Sequence, residues 1–112
     1  MTIIQYLLGV LDEECKEVGI RCSKAVRFGI DEIQPEQDLD NRQRIIYELN
    51  DLFAVIELLS EEGVAMPGIR RFPDGLEGIV IDRGMVDLKK EKVRKFMKLS
   101  RERGMLEEEN LF

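Results

Sequence analysis

Between Asp40 and Gly63, apolar residues fall at Ile45, Ile46, Leu49, Leu52, Phe53, Val55, Ile56 and Leu59. This recurrence at three- and four-residue steps fits a helix and no strand. Asp40 followed by Gln43 is a capping-box pattern at its start, and Gly63 is a natural stop. The apolar face is broad, so a helix over 41–62 is expected to be central. A second stretch reads the same way. Thr2 and Gln5 form another capping-box pattern, followed by Ile4, Leu7, Leu8, Leu11, Cys15 and Val18 in helical spacing. The spacing predicts a helix over 2–27 that ends before Gly29, with Gly19 as a weak point costing about 1 kcal/mol relative to Ala.

The polar stretch 29–40, with Pro35, reads as a connecting loop. Gly63, Gly68, Gly75, Gly78 and Gly84 with Pro67 and Pro73 exclude a long helix there, and Ile79-Val80-Ile81 is either a short strand or a packed loop. Val93, Phe96, Met97 and Leu99 mark a third helix over 86–103, with Asp87 near its start and Gly104 after it. The expected organisation is an all-α antiparallel helical bundle over 1–104, with an acidic, frayed tail over 105–112. A chain of 112 residues builds only a modest core alone, so completion by oligomerisation is expected.

Composition narrows the chemistry. The net charge of −6 repels a phosphate backbone at long range, so nucleic-acid binding would need a local basic patch. No apolar run reaches the roughly 18 residues of a membrane span, and the N-terminus lacks a charged leader region, so a cytoplasmic protein is expected. Histidine is absent, which removes His-based triads and the common zinc sites. Cys15 and Cys22 share one helical face about 10 Å apart along the axis, too far for a disulfide, and read as reduced, partly buried thiols.

Any chemistry must then use carboxylates, cations, hydroxyls or a metal, and the carboxylates show a pattern. Glu14 and Glu17 lie three apart on the first helix, and Glu48 and Asp51 three apart on the second, so each pair shares a helical side. Each pair also borders an apolar face: Leu7, Leu11 and Val18 near Glu14, and Ile45, Leu52 and Val55 near Glu48 and Asp51. If the two helices pack as antiparallel neighbours, four carboxylates converge out of water, an arrangement that requires protonation or a cation. Mg²⁺, with Mn²⁺ as the alternative, takes oxygen ligands and keeps waters for a phosphate substrate. Either pair alone reads as an ordinary solvated surface; two pairs on two apolar helices do not.

In Glu13-Glu14-x-x-Glu17 and Glu48-x-x-Asp51, with apolar Leu52 following, the chain resembles the MazG-like branch of the all-α nucleotide pyrophosphatases. The resemblance covers roughly Leu7 to Leu59. Thirty residues separate Glu17 from Glu48, slightly more than the family pattern, and the extra length falls in the 29–40 loop, where loop closure tolerates it. The resemblance implies metal-dependent hydrolysis of a nucleoside triphosphate between the α and β phosphates, giving a monophosphate and pyrophosphate. Glu14, Glu17, Glu48 and Asp51 would then be metal ligands, and one of these or Glu13 would orient or deprotonate the attacking water. A homodimer or homotetramer is also implied, with the site bordering a subunit interface.

Further candidates are Lys24 and Arg27 for the phosphates, the alternative being cations that favour a helix C-terminus. Asn50 is a weaker candidate for base or sugar, against a solvated amide. Tyr47 and Phe28 are either base-stacking residues or core residues, packing being the safer assignment. Two other functions stand beside the enzyme. Lys89, Lys90, Lys92, Arg94, Lys95, Lys98, Arg101 and Arg103 form a basic run that either contacts nucleic acid or is a solvated face paired with an acidic neighbour. A non-catalytic helical oligomer is the third.

Overall fold

The computed structural model describes residues 1–64 and 81–106. Among these the chain is helical: α1 (Ile3–Phe28), α2 (Asn41–Glu61) and α3 (Arg83–Glu102). Both capping boxes form. Thr2 Oγ1 accepts from the Gln5 N–H at 3.1 Å while Gln5 Oε1 accepts from Thr2 N–H, and Asp40 and Gln43 repeat the exchange at 2.8 and 2.9 Å. Gly19 does not interrupt α1. The third helix starts three residues earlier than its apolar pattern indicates, because the Asp82 side chain caps it by accepting from Met85 N–H at 3.1 Å.

The turn after α1 uses Gly29 at φ 105°, a left-handed conformation that side chains disfavour. Its carbonyl accepts from the amide of Asn41, a residue only 1% exposed, and the Asn41 and Arg42 N–H groups donate to Glu32 and Ile30 carbonyls. The loop is thereby clipped to the first turn of α2, and α2 folds back along α1. Asn41 meets Gly29, Arg21 meets Glu48, and Leu7 packs in one cluster with Leu58 and Leu59, so the pair is antiparallel as expected. α3 runs in the same sense as α2: Asp82 meets Asn50, Arg83 meets Glu57 and Arg94 meets Glu61.

The core has two parts. Ile3, Ile4 and Leu7 pack with Leu58 and Leu59, Val93 and Met97, and Leu106. Phe53 and Ala54 pack with Ile81 and Val86. Burying a Leu or Val side chain contributes about 1.5–3 kcal/mol, so the N-terminal turns of α1 are held firmly. Its last turns are not: Val26 is 87% and Phe28 49% exposed, and Ile30 and Ile33 follow them into solvent. On the α2–α3 side an ionic ladder adds a polar seam. The Arg83 guanidinium donates to both Glu57 oxygens at 2.6 and 2.7 Å, and Lys90 and Arg94 each reach Glu61 at 2.7 Å.

Several expectations are corrected. Cys15 and Cys22 are free but exposed, not partly buried. Tyr47 and Phe28 are half-exposed instead of packed in the core. Leu106, assigned to the tail, is buried against α1 and α2, so packing continues past Gly104. The 79–80 part of the Ile79-Val80-Ile81 segment and the Glu107-Glu108-Glu109 tail lie outside the described residues. No helix of the described residues is long and apolar enough to cross a membrane.

Candidate metal centre

Because Glu14 lies in register with Leu7 on the inner face of α1, packing against α2 buries it to 7% exposure. Across from it, α2 presents Glu48 and Asp51 on successive turns, both half-buried. One carboxylate oxygen from each of Glu14, Glu48 and Asp51 falls within 4.8 Å of the others. An octahedral ion with oxygen ligands at about 2.0–2.1 Å needs neighbouring oxygens roughly 3–4 Å apart, so a small closure brings these three onto one hard cation. The donors suit Mg²⁺ or Mn²⁺: all are carboxylate oxygens, and none is nitrogen or sulfur.

Glu17 stands outside the three-carboxylate group. It sits one turn further along α1, half-buried, and its charge still contributes to pushing up the Glu48 carboxyl. Glu13 is exposed, turned about 100° around the helix from Glu14. Lys24 and Arg27 are not brought to the group: at 1.5 Å per residue they lie about 15 and 20 Å along the axis from Glu14. Lys24 Nζ instead meets Gln34 Oε1 at 3.5 Å, and the Arg27 guanidinium lies 5.0 Å from the centre of the Phe28 ring.

Asn50 is corrected most sharply. Expected as a ligand contact or a solvated amide, it is wholly buried. Its Nδ2 donates to the Ile46 carbonyl at 2.8 Å, and its Oδ1 accepts from Asp82 N–H at 2.7 Å, which ties the start of α3 to the middle of α2.

Two cations that the motif did not include reach the acids. Lys89 on α3 places Nζ 2.8 Å from Glu14 Oε1 and 3.8 Å from Asp51 Oδ2. Arg21 Nε lies 3.8 Å from Glu48 Oε1. A signal for Lys89 existed in the sequence: it falls three residues after Val86 and four before Val93, on the inward side of α3 and not among the solvated lysines. Lys90 and Arg94 are likewise engaged with Glu57 and Glu61, so the basic run is partly consumed inside the fold, leaving Lys92, Lys95, Lys98 and Arg103 exposed.

Four carboxylates against two cations leave the site net negative, and the protonation equilibria respond. Burial pushes the Glu48 carboxyl above its ordinary value, with Asp51, Glu14 and Glu17 adding to the rise and Arg21 opposing it. The Asp51 carboxyl is also raised, chiefly by burial and further by Glu14, while Lys89 and Lys92 pull the other way. Burial opposes the Lys89 charge, but the hydrogen bond to Glu14 and the charges of Asp51, Glu14 and Glu48 outweigh it, so its ammonium is held above its ordinary value.

Open space adjoins the acids on both sides of Tyr47. A hollow of about 260 Å³ is lined by Tyr47, Asp51, Met85, Leu88, Lys89 and Lys92. A second, of about 230 Å³, is lined by Leu39, Arg44, Tyr47 and Glu48. The first offers an aromatic ring, two apolar side chains and two ammonium groups beside the Asp51 carboxylate. Against protein-family models, curated proteins and solved structures the chain has no match, so its functional case stands on this carboxylate geometry alone.

Proposed function

We propose that the chain is a Mg²⁺-dependent nucleotide pyrophosphohydrolase of the MazG-like kind, with Mn²⁺ as the alternative ion. The observation that carries this reading is the convergence of Glu14, Glu48 and Asp51 oxygens within 4.8 Å from two helices, at positions of the E-x-x-E and E-x-x-D motifs. Glu14, Glu48 and Asp51 hold the ion. When bound, Mg²⁺ neutralises phosphate charge, stabilises the leaving pyrophosphate and lowers the pKa of a water.

Glu17 is the residue we assign to orient and deprotonate that water, since it adjoins the group without belonging to it. Oxygen of the water attacks the α phosphorus, the bond to the α–β bridging oxygen breaks, pyrophosphate leaves, and the water proton passes to Glu17. Lys92 in the larger hollow faces the phosphate tail, and the exposed ring of Tyr47 supports the base. The exposed apolar residues at the end of α1 support a homodimer or homotetramer, since burying them would add to a small core.

A second reading is favoured by one contact. The 2.8 Å ion pair of Lys89 with Glu14 resembles a structural salt bridge, as a non-catalytic helical oligomer would have. Pyrophosphate release from a panel of nucleotides, with Mg²⁺, Mn²⁺ or EDTA, separates the two. Metal-dependent release by the wild type that is lost in Glu48→Gln supports the enzyme. Absence of release from every nucleotide by folded, metal-loaded protein refutes it. Nucleic-acid binding through the exposed lysines of α3 would appear instead as affinity falling steeply with salt.

A further inference from the structure

We infer that Lys89 is a built-in counter-ion of the metal centre, one that competes with the divalent cation for Glu14 and Asp51 and leaves when the cation enters. The inference rests on the metal reading proposed above. Lys89 comes from α3, outside both acidic motifs, yet its ammonium contacts oxygens of two of the three carboxylates that converge, at 2.8 and 3.8 Å. A divalent ion bound to Glu14 and Asp51 would stand within a few ångströms of that ammonium, where the two positive charges repel strongly. Both cannot keep the same oxygens. The lysine has somewhere to go: its stem lines the roughly 260 Å³ hollow beside Tyr47, Met85 and Leu88, and four flexible methylenes let the head swing there.

The arrangement also explains how the metal-free protein tolerates its buried acids. Glu14 is 7% exposed and faces two further carboxylates, so without a cation the α1–α2 contact would carry unpaired charge. Lys89 supplies one positive charge across that contact. Metal binding then exchanges this charge for two and places the displaced ammonium next to Lys92, in the space where an anionic ligand would sit.

The test measures Mn²⁺ binding to the full chain by electron paramagnetic resonance, with Mg²⁺ competition. Lys89→Met should tighten Mn²⁺ by about tenfold or more, within the range of couplings between adjacent charged sites. Lys89→Arg, which keeps the charge, and Lys98→Met, which removes an exposed charge nine residues further along α3, should stay near wild type. A wild type that binds Mn²⁺ through Glu48, with Lys89→Met binding equally or more weakly, overturns the inference and leaves the metal reading standing. Failure of the wild type and of Lys89→Met alike to bind Mn²⁺ overturns both. A second measurement needs no charge-removing variant. In ¹³C-lysine-labelled wild type, the Lys89 ε-methylene resonance, assigned from its loss in Lys89→Arg, should shift on adding Mg²⁺ while that of Lys16 stays put. A Lys89 signal unmoved at saturating Mg²⁺ refutes the displacement.

Discussion

Replacing Asn50 by Ala tests whether α3 is fastened to α2 by a single buried amide. The side chain is inaccessible to solvent, and its Oδ1 is the acceptor for Asp82 N–H at 2.7 Å. Truncation leaves that N–H without its partner, at about 1–3 kcal/mol, and removes the amide's packing, at about another 1 kcal/mol. The Ile46 carbonyl loses a second donor but keeps its helical one, so it adds little. The expected loss is therefore about 2–4 kcal/mol. At about 4 °C per kcal/mol for a chain of this size, the midpoint of thermal unfolding should fall by roughly 8–16 °C. Urea unfolding followed by circular dichroism should show a lower midpoint with an unchanged slope, since the surface exposed on unfolding is nearly the same. Asn50→Asp should be worse than Asn50→Ala at neutral pH: it keeps the acceptor but sets a charged oxygen against the Ile46 carbonyl, next in sequence to Asp51. A loss below about 1 kcal/mol for Asn50→Ala would show that α3 is held by the packing of Val86, Val93 and Met97 and by the ion pairs to Glu57 and Glu61, without a material share from the amide.

Three other perturbations address different contacts. Glu48→Gln should raise the stability of the metal-free protein at neutral pH. The folded carboxyl is held above its unfolded value, so the wild type loses stability as pH rises past the ordinary carboxylate range, and Gln removes this slope; denaturation in EDTA from acid to neutral pH checks it. Arg83→Met should cost about 1 kcal/mol at neutral pH. Its hydrogen bonds hold the Glu57 carboxyl below the ordinary range, so the stability they contribute is present above that range and disappears as acid protonates Glu57; wild type and variant should converge there. Gly19→Ala should stabilise the protein by about 0.5–1 kcal/mol, because the position is helical and a methyl group there meets nothing within 4 Å; a destabilised variant would mean that α1 is covered at that point.

What was legible in the sequence is what depends on neighbours along the chain. Thr2 with Gln5 and Asp40 with Gln43 announce two helix starts because a capping box is completed within four residues. Glu14, Glu48 and Asp51 could be brought together on paper because each borders the apolar stripe that must face the partner helix. Glu17 could not be excluded from the group that way, since its offset of about 60° from Glu14 matters only once the helices pack. The start of α3 was misplaced because apolar spacing begins at Val86, whereas the cap at Asp82 sits after a glycine-rich stretch with no period. Asn50 and Lys89 were misread for a common reason. Polar residues default to solvent in a one-dimensional reading, and only docking α3 on α2 reveals that Asp82 N–H and Glu14 are their partners.

The two acidic sets on α2 respond oppositely to their surroundings, and the contrast bears on what the first one is for. Two turns past Asp51, Glu57 and Glu61 face Arg83, Lys90 and Arg94, and Asp87 also reaches Arg83, so three cations meet three carboxylates. Glu57 is lowered foremost by the Arg83 hydrogen bonds, and Glu61 is lowered despite its burial by Lys90 and Arg94, as paired structural ions should be. Glu48 and Asp51 share the same helix but are more buried than Glu61, and both are raised, chiefly by that burial and further by the acids gathered there, which Lys89 and Arg21 only partly offset. If the first set were only another strut, the same chemistry that satisfied Glu57 and Glu61 would satisfy it. A deficit of positive charge at one carboxylate set, beside a balanced set on the same helix, is what a site built to receive a divalent cation should show.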